Sequence, residues 1–249
     1  MKRPWDLNGR EFCEYLFQYK LENHPFRTHP FFLEWQAGKL PLEVIRRWAP
    51  QFYAWLACIP RAYALRFARL PWTPEFAKYR SMLLEHLTEE AGFPEGQHTP
   101  HPELFLRFCE GLGLSREDVE TADLLPGTHL AIDDFLYINH EEPFYVSAAG
   151  SSEPPNVELC EKLLPVLRTV YKIPERNLEY YRLHGEADKE HSVLVNSLVA
   201  DFADRGPEVR LRMWQAMLRG FGVHRAIVDG VWSVPTHLSS APVARTVPR

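Results

Sequence analysis

The spacing of apolar residues constrains the fold of this chain more than any other feature of its sequence. Apolar residues recur every three or four positions along most of its 249 residues, and no segment alternates convincingly between apolar and polar positions. The first spacing gathers apolar side chains on one face of an α-helix, whereas alternation is the pattern of a half-buried strand. We therefore predict an all-α fold, with helices at about 8–22, 29–37, 41–68, 74–91, 101–112, 129–150, 156–171, 174–204 and 207–231.

The chain is expected to form a single domain over residues 1–232. No internal repeat and no linker of low complexity divides it. Residues 233–249 contain three prolines and lack helical spacing. These residues are predicted to form a mobile C-terminal tail.

Composition excludes several classes of protein. Lys and Arg number 28 against 33 Asp and Glu, for a formal charge of -5, whereas a nucleic-acid-binding protein needs a basic surface. No run approaches the roughly 18 apolar residues of a membrane span, and the N-terminus lacks the apolar core of a signal peptide. The four cysteines are far apart and form no CxxC pair. We expect free thiols, a cytoplasmic location, and neither nucleic acid nor membrane as a partner.

The most informative segment lies in the predicted helix over 174–204. His184, Asp188 and His191 are spaced so that all three side chains project from one stripe over two helical turns. Imidazole and carboxylate together bind iron, manganese or zinc. On this helix alone, a solvated face in which Asp188 pairs with a neighbour is slightly the simpler interpretation.

Metal sites in helical bundles take ligands from several helices, and two further segments carry such donors. In the helix over 74–91, Glu85 and Glu89 share one face, while Glu90 pairs with His86 on the next. A loop then leads through His98 to His101, where the next predicted helix begins. Acidic residues at a helix end and histidines in a polar loop are also common without a metal.

Together these segments resemble the haem-oxygenase-like dimetal oxidases, relatives of the TenA and PqqC proteins. Residues 89–94 (EEAGFP) are similar to a family segment whose first glutamate is a ligand, and 101–108 (HPELFLRF) to one that begins with a ligand histidine. The HxxxDxxH helix matches the family's three-ligand motif, and residues 29–35 and 48–53 resemble its first two helices. The resemblance covers about residues 20–230 and implies a haem-oxygenase-like helical bundle.

The resemblance implies six metal ligands: Glu89, His101, Glu153, His184, Asp188 and His191. His98 competes with His101, because the loop after Glu89 is longer than the family's usual loop; we prefer His101 since its helix follows directly. Glu153 precedes Pro154 and Pro155, which disfavour helical geometry before them, so its carboxylate is expected to reach the site from a bend or loop. The alternatives for this position are Glu141, Glu142 and Glu158.

The implied function is that of an enzyme with two O2-reactive Fe(II) ions, with Mn possible at one site. Its substrate would be a small amino-acid-like or fatty-acid-like molecule, processed by N-oxygenation, desaturation or oxidative carbon–carbon cleavage in a biosynthetic pathway. An external electron donor and a homodimer belong to this hypothesis. The alternatives are a metal-free enzyme like PqqC or TenA, whose histidines transfer protons, and a non-enzymatic interaction protein of the same fold. Phe32, Trp35 and Tyr53 are candidates for a substrate pocket, although such aromatic sets more often form plain core.

Overall fold

A computed structural model describes residues 3–94 and 98–233 of the chain. Every regular element in these two ranges is a helix, which confirms the all-α prediction. Three short 3-10 turns lie at Pro4–Asp6, Pro74–Phe76 and Glu175–Asn177. The α-helices are α1 (Gly9–Asn23), α2 (Pro25–Thr28), α3 (Pro30–Gln36), α4 (Leu42–Leu56), α5 (Ile59–Ala68), α6 (Ala77–Ala91), α7 (His101–Gly111), α8 (Arg116–Glu120), α9 (Pro126–Glu141), α10 (Phe144–Ala149), α11 (Glu153–Thr169), α12 (Glu179–Ala203) and α13 (Pro207–Trp232).

Two of the predicted helices are each divided in the structure. The span 41–68 forms α4 and α5, and α5 has Pro60 in its first turn. The span 129–150 forms α9 and α10, with Pro143 directly before α10. Proline lacks the N–H that a continuous helix needs and is tolerated at a helix start, so both breaks fall where a proline begins a new helix. From residue 234 onwards, the predicted tail lies outside the described residues.

Local sequence signals fix several helix ends. The side chain of Asn8 accepts a hydrogen bond from the backbone N–H of Glu11, and the Glu11 carboxylate accepts one from the backbone N–H of Asn8 at the start of α1. Ser115 and Asp118 form the same reciprocal cap at the start of α8. Helix α6 ends at Gly92, whose φ of 74° lies in the left-handed region that glycine adopts without strain. This last stop sets the end of a helix that carries two residues of the site.

The core lies in two clusters that hold the helices around the site. One is aromatic and centres on Trp35, Trp48 and Phe105, contributed by α3, α4 and α7. The other joins α1, α10, α12 and α13 through residues such as Phe12, Phe202 and Met217. Helix α11 packs along α12, and α9 packs along α13. Helices α6, α7 and α11 thereby lie against α12, and α5 packs against α6.

Candidate metal centre

Seven buried polar side chains from four helices meet at one place in the interior. Each is at most 7% exposed, although carboxylates and imidazoles are costly to bury without partners. Helix α6 contributes two of them, α7 and α11 one each from their first residues, and α12 three. The members of this seven-residue cluster are His86, Glu90, His101, Glu153, His184, Asp188 and His191.

The stripe predicted on α12 faces this interior. His184, Asp188 and His191 are 5%, 2% and 7% exposed. The interpretation of the motif as a solvated face is therefore wrong. The three side chains share one face because of their spacing, and that face is turned towards α6, α7 and α11.

The nearest atoms of the cluster are close without being hydrogen bonded to each other. His101 Nδ1 lies 2.9 Å from a Glu90 oxygen, and His86 Nε2 lies 3.0 Å from a Glu153 oxygen. Among the described residues, neither nitrogen has a partner in hydrogen-bonding geometry. Two ligands at about 2.1 Å from a metal and at right angles to each other are themselves about 3.0 Å apart. Short separations without hydrogen-bond directions are therefore what ligands of a common ion show.

The four histidines form two pairs, one on each side of Glu90. The rings of His86 and His191 have centroids 4.1 Å apart, and those of His101 and His184 are 4.5 Å apart. One Glu90 oxygen faces the first pair, 3.8 Å from His86 Nε2, and the other faces His101 at 2.9 Å. Candidate ligand atoms of His86, Glu90 and His191 lie within 4.8 Å of one another. The cluster thus consists of two halves that share one carboxylate.

Hydrogen bonds around the cluster fix which nitrogen of two histidines carries a proton. His184 Nδ1 lies 2.8 Å from the backbone oxygen of Tyr180, so Nδ1 donates and Nε2 keeps its lone pair. His191 Nε2 lies 2.7 Å from a carboxylate oxygen of Glu89, which leaves Nδ1 on the side of Asp188. Such outer partners orient metal-binding histidines in known sites. The remaining nitrogen of each ring, Nε2 of His184 and Nδ1 of His191, therefore faces the interior.

Two carboxylates of the cluster also accept hydrogen bonds from side chains outside it. The Tyr63 hydroxyl donates to Glu153 at 2.7 Å, and the Asn156 side-chain amide donates to Asp188 at 2.8 Å. In Asp188 the second oxygen faces His191 at 3.6 Å. In Glu153 the oxygen that accepts from Tyr63 is also the one near His86, and among the described residues the second oxygen is buried without a hydrogen-bond partner. Tyr63, Asn156 and Glu89 thus position the acidic and basic groups of the site.

The electrostatics of the cluster favour charged groups despite their burial. Burial alone would raise the pKa of Glu90, but attraction to His101 and His86 outweighs it and lowers that pKa to about 2. Burial would lower the pKa of His191, yet its interactions with the carboxylates of Asp188, Glu153 and Glu89 raise it to about 10. The histidine protons thus neutralise the carboxylates, and a bound cation would displace them.

The structure places Glu90, rather than Glu89, in the cluster. The Glu89 side chain is 37% exposed and contacts the outer nitrogen of His191, whereas Glu90 is buried between His86 and His101. Glu90 follows His86 by one helical turn and shares its face, while Glu89 lies about 100° away around the helix. The resemblance of the EEAGFP segment implied Glu89 as the ligand; in the structure Glu90 is the glutamate buried in the cluster, and Glu89 lies outside it.

Of the other predicted ligand positions, some lie inside the cluster and some lie outside it. His101 is 4% exposed and inside the cluster, while His98 is exposed at the surface. Glu153 is buried and is the first residue of α11, so the expectation of a bend or loop is wrong. Its two following prolines occupy the first helical turn, where no intrahelical N–H is needed. The alternatives to Glu153 lie in other ion pairs: Glu141 with His140, Glu142 with Arg212, and Glu158 with Lys162.

The sequence prediction omitted His86 as a candidate ligand and Tyr63 and Asn156 as supporting residues. The spacing of His86 and Glu90, four residues apart on one helix, is visible in the sequence and was the available signal. No comparable signal exists for Tyr63 or Asn156. They reach the cluster from α5 and α11 only because the fold brings those helices together.

A cavity of about 50 Å³ lies beside the cluster. Glu90, Glu153, His184 and Asp188 form its polar end. Its remaining walls come from α2, α4, α5, α9, α13 and the segment that follows α10, among them Phe26, Phe52, Trp55, Phe135, Gly150 and His224. The cavity thus combines a polar end at the cluster with a largely apolar wall, as pockets for small organic molecules do.

The predicted pocket residues Phe32, Trp35 and Tyr53 do not line this cavity. Phe32 and Trp35 are 1% and 0% exposed within the aromatic core, and Tyr53 packs against that core from the outside. The alternative that these aromatic residues form plain core agrees with the structure. Phe52 and Trp55 of α4 line the cavity instead.

Comparison with known proteins assigns the family. The profile of the haem-oxygenase-type family described as "Iron-containing redox enzyme" matches residues 46–223. The 4-aminobenzoate synthase of Nitrosomonas europaea is 29% identical over 225 residues, which are 85% of this chain and 87% of that protein. The pyrroloquinoline-quinone synthase of Gluconobacter oxydans is 29% identical over 157 residues, or 61% of this chain and 63% of that protein. A TenA homolog from Pseudomonas syringae pv. tomato superposes with a TM-score of 0.72 at 11% identity, covering 89% of this chain and 90% of that one.

The chain belongs to the haem-oxygenase-like family of iron-containing redox enzymes. This confirms the predicted resemblance and fold, together with the expectation of an O2-using oxidoreductase. The structural match to the TenA homolog shows the shared fold alone. In the described part of the chain, no helix has the length and apolar character that crossing a bilayer requires.

Proposed function

We propose that this protein holds two iron ions in the seven-residue cluster and uses O2 to oxidise a small organic molecule in a biosynthetic pathway. The observation that carries this proposal is the division of the buried cluster into two halves that share Glu90. His86, His191 and Glu153 belong to one half, and His101 and His184 belong to the other. Asp188 lies between them, 3.6 Å from His191 Nδ1, and its charge also acts on His184. One carboxylate facing two histidine pairs is suited to two neighbouring cations.

The polar atoms of the cluster fit such ions. In the described ranges, His86, Glu90, His101, Glu153 and His191 each have at least one buried side-chain nitrogen or oxygen without a hydrogen-bond partner. Unpaired buried polar atoms are rare in proteins and need an explanation. Nitrogen and oxygen donors without thiolate are the set that suits iron, and also manganese, which we retain as possible at one site.

The ligand set that we propose therefore differs from the sequence prediction by two residues. Glu90 takes the place of Glu89, and His86 is added, while His101, Glu153, His184, Asp188 and His191 are kept. Glu89 accepts a hydrogen bond from His191 and holds its ring in place. Tyr63 does the same for Glu153, and Asn156 for Asp188.

Iron in this cluster would supply the electrons that begin the reduction of O2. The protein's own contribution is to place the substrate and exclude water. Phe52, Trp55 and Phe135 surround the cavity with apolar surface, so a substrate that fills it displaces water from the polar end. The Tyr63 hydroxyl keeps its proton at the Glu153 oxygen, because burial, and next the charge of Glu153, raise the pKa of Tyr63 well above its usual value.

The similarity to a 4-aminobenzoate synthase over most of the chain supports a biosynthetic oxidation, and we propose this class of activity. N-oxygenation, desaturation and oxidative carbon–carbon cleavage all remain within it. A substrate that yields fewer than the four electrons needed to reduce O2 to water requires an external electron donor. A homodimer and a cytoplasmic location stay predictions from the sequence.

The test is anaerobic reconstitution of the full chain with Fe(II), removal of loose metal, and counting of iron before exposure to O2. We expect two irons per chain, and O2 uptake that depends on them. His101→Ala should lose at least one iron, whereas His98→Ala and His140→Ala, which remove exposed imidazoles, should keep both. O2 uptake with no bound iron would favour the metal-free alternative instead. An unchanged iron count in His101→Ala would contradict the proposed ligand set.

A further inference from the structure

Two basic side chains are buried close to the polar end of the cavity. Arg66 of α5 is 2% exposed and lines the cavity, and Lys20 of α1 is 1% exposed. The charge of Glu153 acts on Lys20, and so does that of Arg66. Burying an arginine and a lysine near each other is unfavourable unless an anion accompanies them.

Arg66 is only partly satisfied by the protein. Its Nε donates to the side-chain oxygen of Asn139 at 2.9 Å, and its guanidinium carbon lies 4.7 Å from the centroid of the Tyr63 ring. In residues 3–94 and 98–233, one terminal nitrogen of Arg66, Nη1, is buried with no acceptor, and so is Nζ of Lys20. A buried cationic donor without an acceptor costs free energy, and a carboxylate supplies the acceptors that a guanidinium fits best.

Of two nearby histidines, His224 lines the cavity and His24 packs against it. Burial lowers the pKa of His224 to about 3 and lowers that of His24 well below its usual value, so neither carries charge. His224 packs against the Trp55 ring, with centroids 4.8 Å apart, and so belongs to the aromatic wall. Positive charge is therefore concentrated at Arg66 and at Lys20, whose pKa burial lowers to about 8, while the carboxylates of the cavity lie at its polar end.

Tyr63 joins this cationic end to the cluster. Its ring lies beneath the Arg66 guanidinium, and its hydroxyl donates to Glu153. A group bound to Arg66 within the cavity therefore lies on the same side of the pocket as Tyr63, whose hydroxyl contacts the cluster. A short molecule held there reaches Glu90 and His184, which line the same cavity.

We propose that the cavity binds a small organic acid, with its carboxylate on Arg66 and its hydrocarbon part against the aromatic wall of Phe52, Trp55 and Phe135. This inference rests on the proposed function and specifies the substrate class of the same site. Lys20 adds positive charge behind Arg66. An amine or a neutral amide at this end leaves the buried cations unpaired, so the site discriminates against both.

The test compares an acid with its neutral and cationic analogues. Full-length protein, loaded with Fe(II) and kept anaerobic, is titrated with benzoate, benzamide and benzylamine, and with hexanoate, hexanamide and hexylamine. Binding is followed by calorimetry, and the titrations are repeated on metal-free protein. We expect each acid to bind at least ten-fold more tightly than its amide and amine, with or without iron. Equal affinities within either series would overturn the proposal without any mutation.

The matched variants are Arg66→Gln and Arg61→Gln, two arginines of α5, of which Arg61 is exposed. Arg66→Gln should lose at least ten-fold in affinity for the acids and little for the amides, while Arg61→Gln should behave as wild type. Arg66→Lys, which keeps the charge, should retain part of the preference. If Arg66→Gln does not fold, Arg66→Lys and the wild-type series decide the question.

The iron count separates this inference from the proposed function. Arg66→Gln should still bind two irons, because Arg66 belongs to neither half of the cluster. Acid binding that requires iron and ignores Arg66 would show that the carboxylate binds the metal, and would overturn the inference. Failure to load iron, together with Arg66-dependent acid binding, would overturn the proposed function alone.

Discussion

Replacement of Tyr63 by Phe tests whether the hydrogen bond from Tyr63 to Glu153 stabilises the cluster. The Tyr63 hydroxyl donates to Glu153 at 2.7 Å in a buried site, and the substitution removes this donor while leaving the ring that packs on His86. A hydrogen bond to a charged group contributes about 1.5–3 kcal/mol. We therefore expect the free energy of unfolding to fall by about 2 kcal/mol, which corresponds to roughly 4–8 °C in Tm for a chain of this size.

The assay is urea unfolding of the metal-free protein at pH 7, followed by circular dichroism. Tyr53→Phe is the matched control, since the half-buried Tyr53 lies outside both the cavity and the cluster. It should change stability by less than about 0.5 kcal/mol, as is usual for substitutions away from buried polar contacts. A Tyr63→Phe variant as stable as this control would refute the reasoning. Iron binding by Tyr63→Phe should persist, because Tyr63 is not in the proposed ligand set.

Three further predictions concern packing and pH. A Cβ on Gly220 would lie 2.2 Å from the backbone oxygen of Gly150, so Gly220→Ala should destabilise the protein by about 1–3 kcal/mol. A Cβ on Gly222 of the same helix would meet nothing within 4 Å, so Gly222→Ala should stabilise the protein by about 0.5–1 kcal/mol. Equal urea midpoints for the two variants would contradict this. Burial lowers the pKa of His224 to about 3. Between pH 6.5 and 3 the unfolded chain binds a proton at this residue that the folded chain does not, so the wild type loses stability as the pH falls. His224→Leu lacks this group, so its free energy of unfolding should fall by about 2–3 kcal/mol less than that of the wild type between pH 6.5 and 4.5. Parallel pH profiles of the two proteins would contradict this. Trp35→Ala should cost about 3–5 kcal/mol in urea unfolding while keeping its iron, since Trp35 is 0% exposed in the core; loss of iron by a folded variant would contradict its assignment to the core.

The sequence predicted helices well because their signal is local. Apolar spacing marks the face of a helix that is buried, and this spacing persists wherever the helix packs. The divisions at Pro60 and Pro143 were missed because apolar spacing continues across both breaks. Proline was also misjudged at Glu153, where two prolines in the first turn of α11 start a helix rather than prevent one.

The site was predicted in part for a similar reason. The spacing of His184, Asp188 and His191 on one helix fixes their common face without knowledge of any neighbour. Whether Glu89 or Glu90 faces the cluster depends on the rotation of α6 about its own axis relative to α12. The EEAGFP segment alone does not determine this rotation. Phe52 and Trp55 were distinguishable from Phe32 and Trp35 only by the packing of distant helices around the cavity. Tertiary contacts decide such positions, and a single sequence does not contain them.

The most direct test of the proposed dimetal centre is anomalous scattering at the iron edge from crystals grown anaerobically with Fe(II). Two iron peaks are predicted per chain, one beside His86 and His191 and one beside His101 and His184. Both should lie within about 2.0–2.5 Å of Glu90 oxygens, the usual range for carboxylate–metal bonds. Glu89 should contact neither peak. A single peak, or iron bonded to Glu89 with Glu90 left free, would contradict the account.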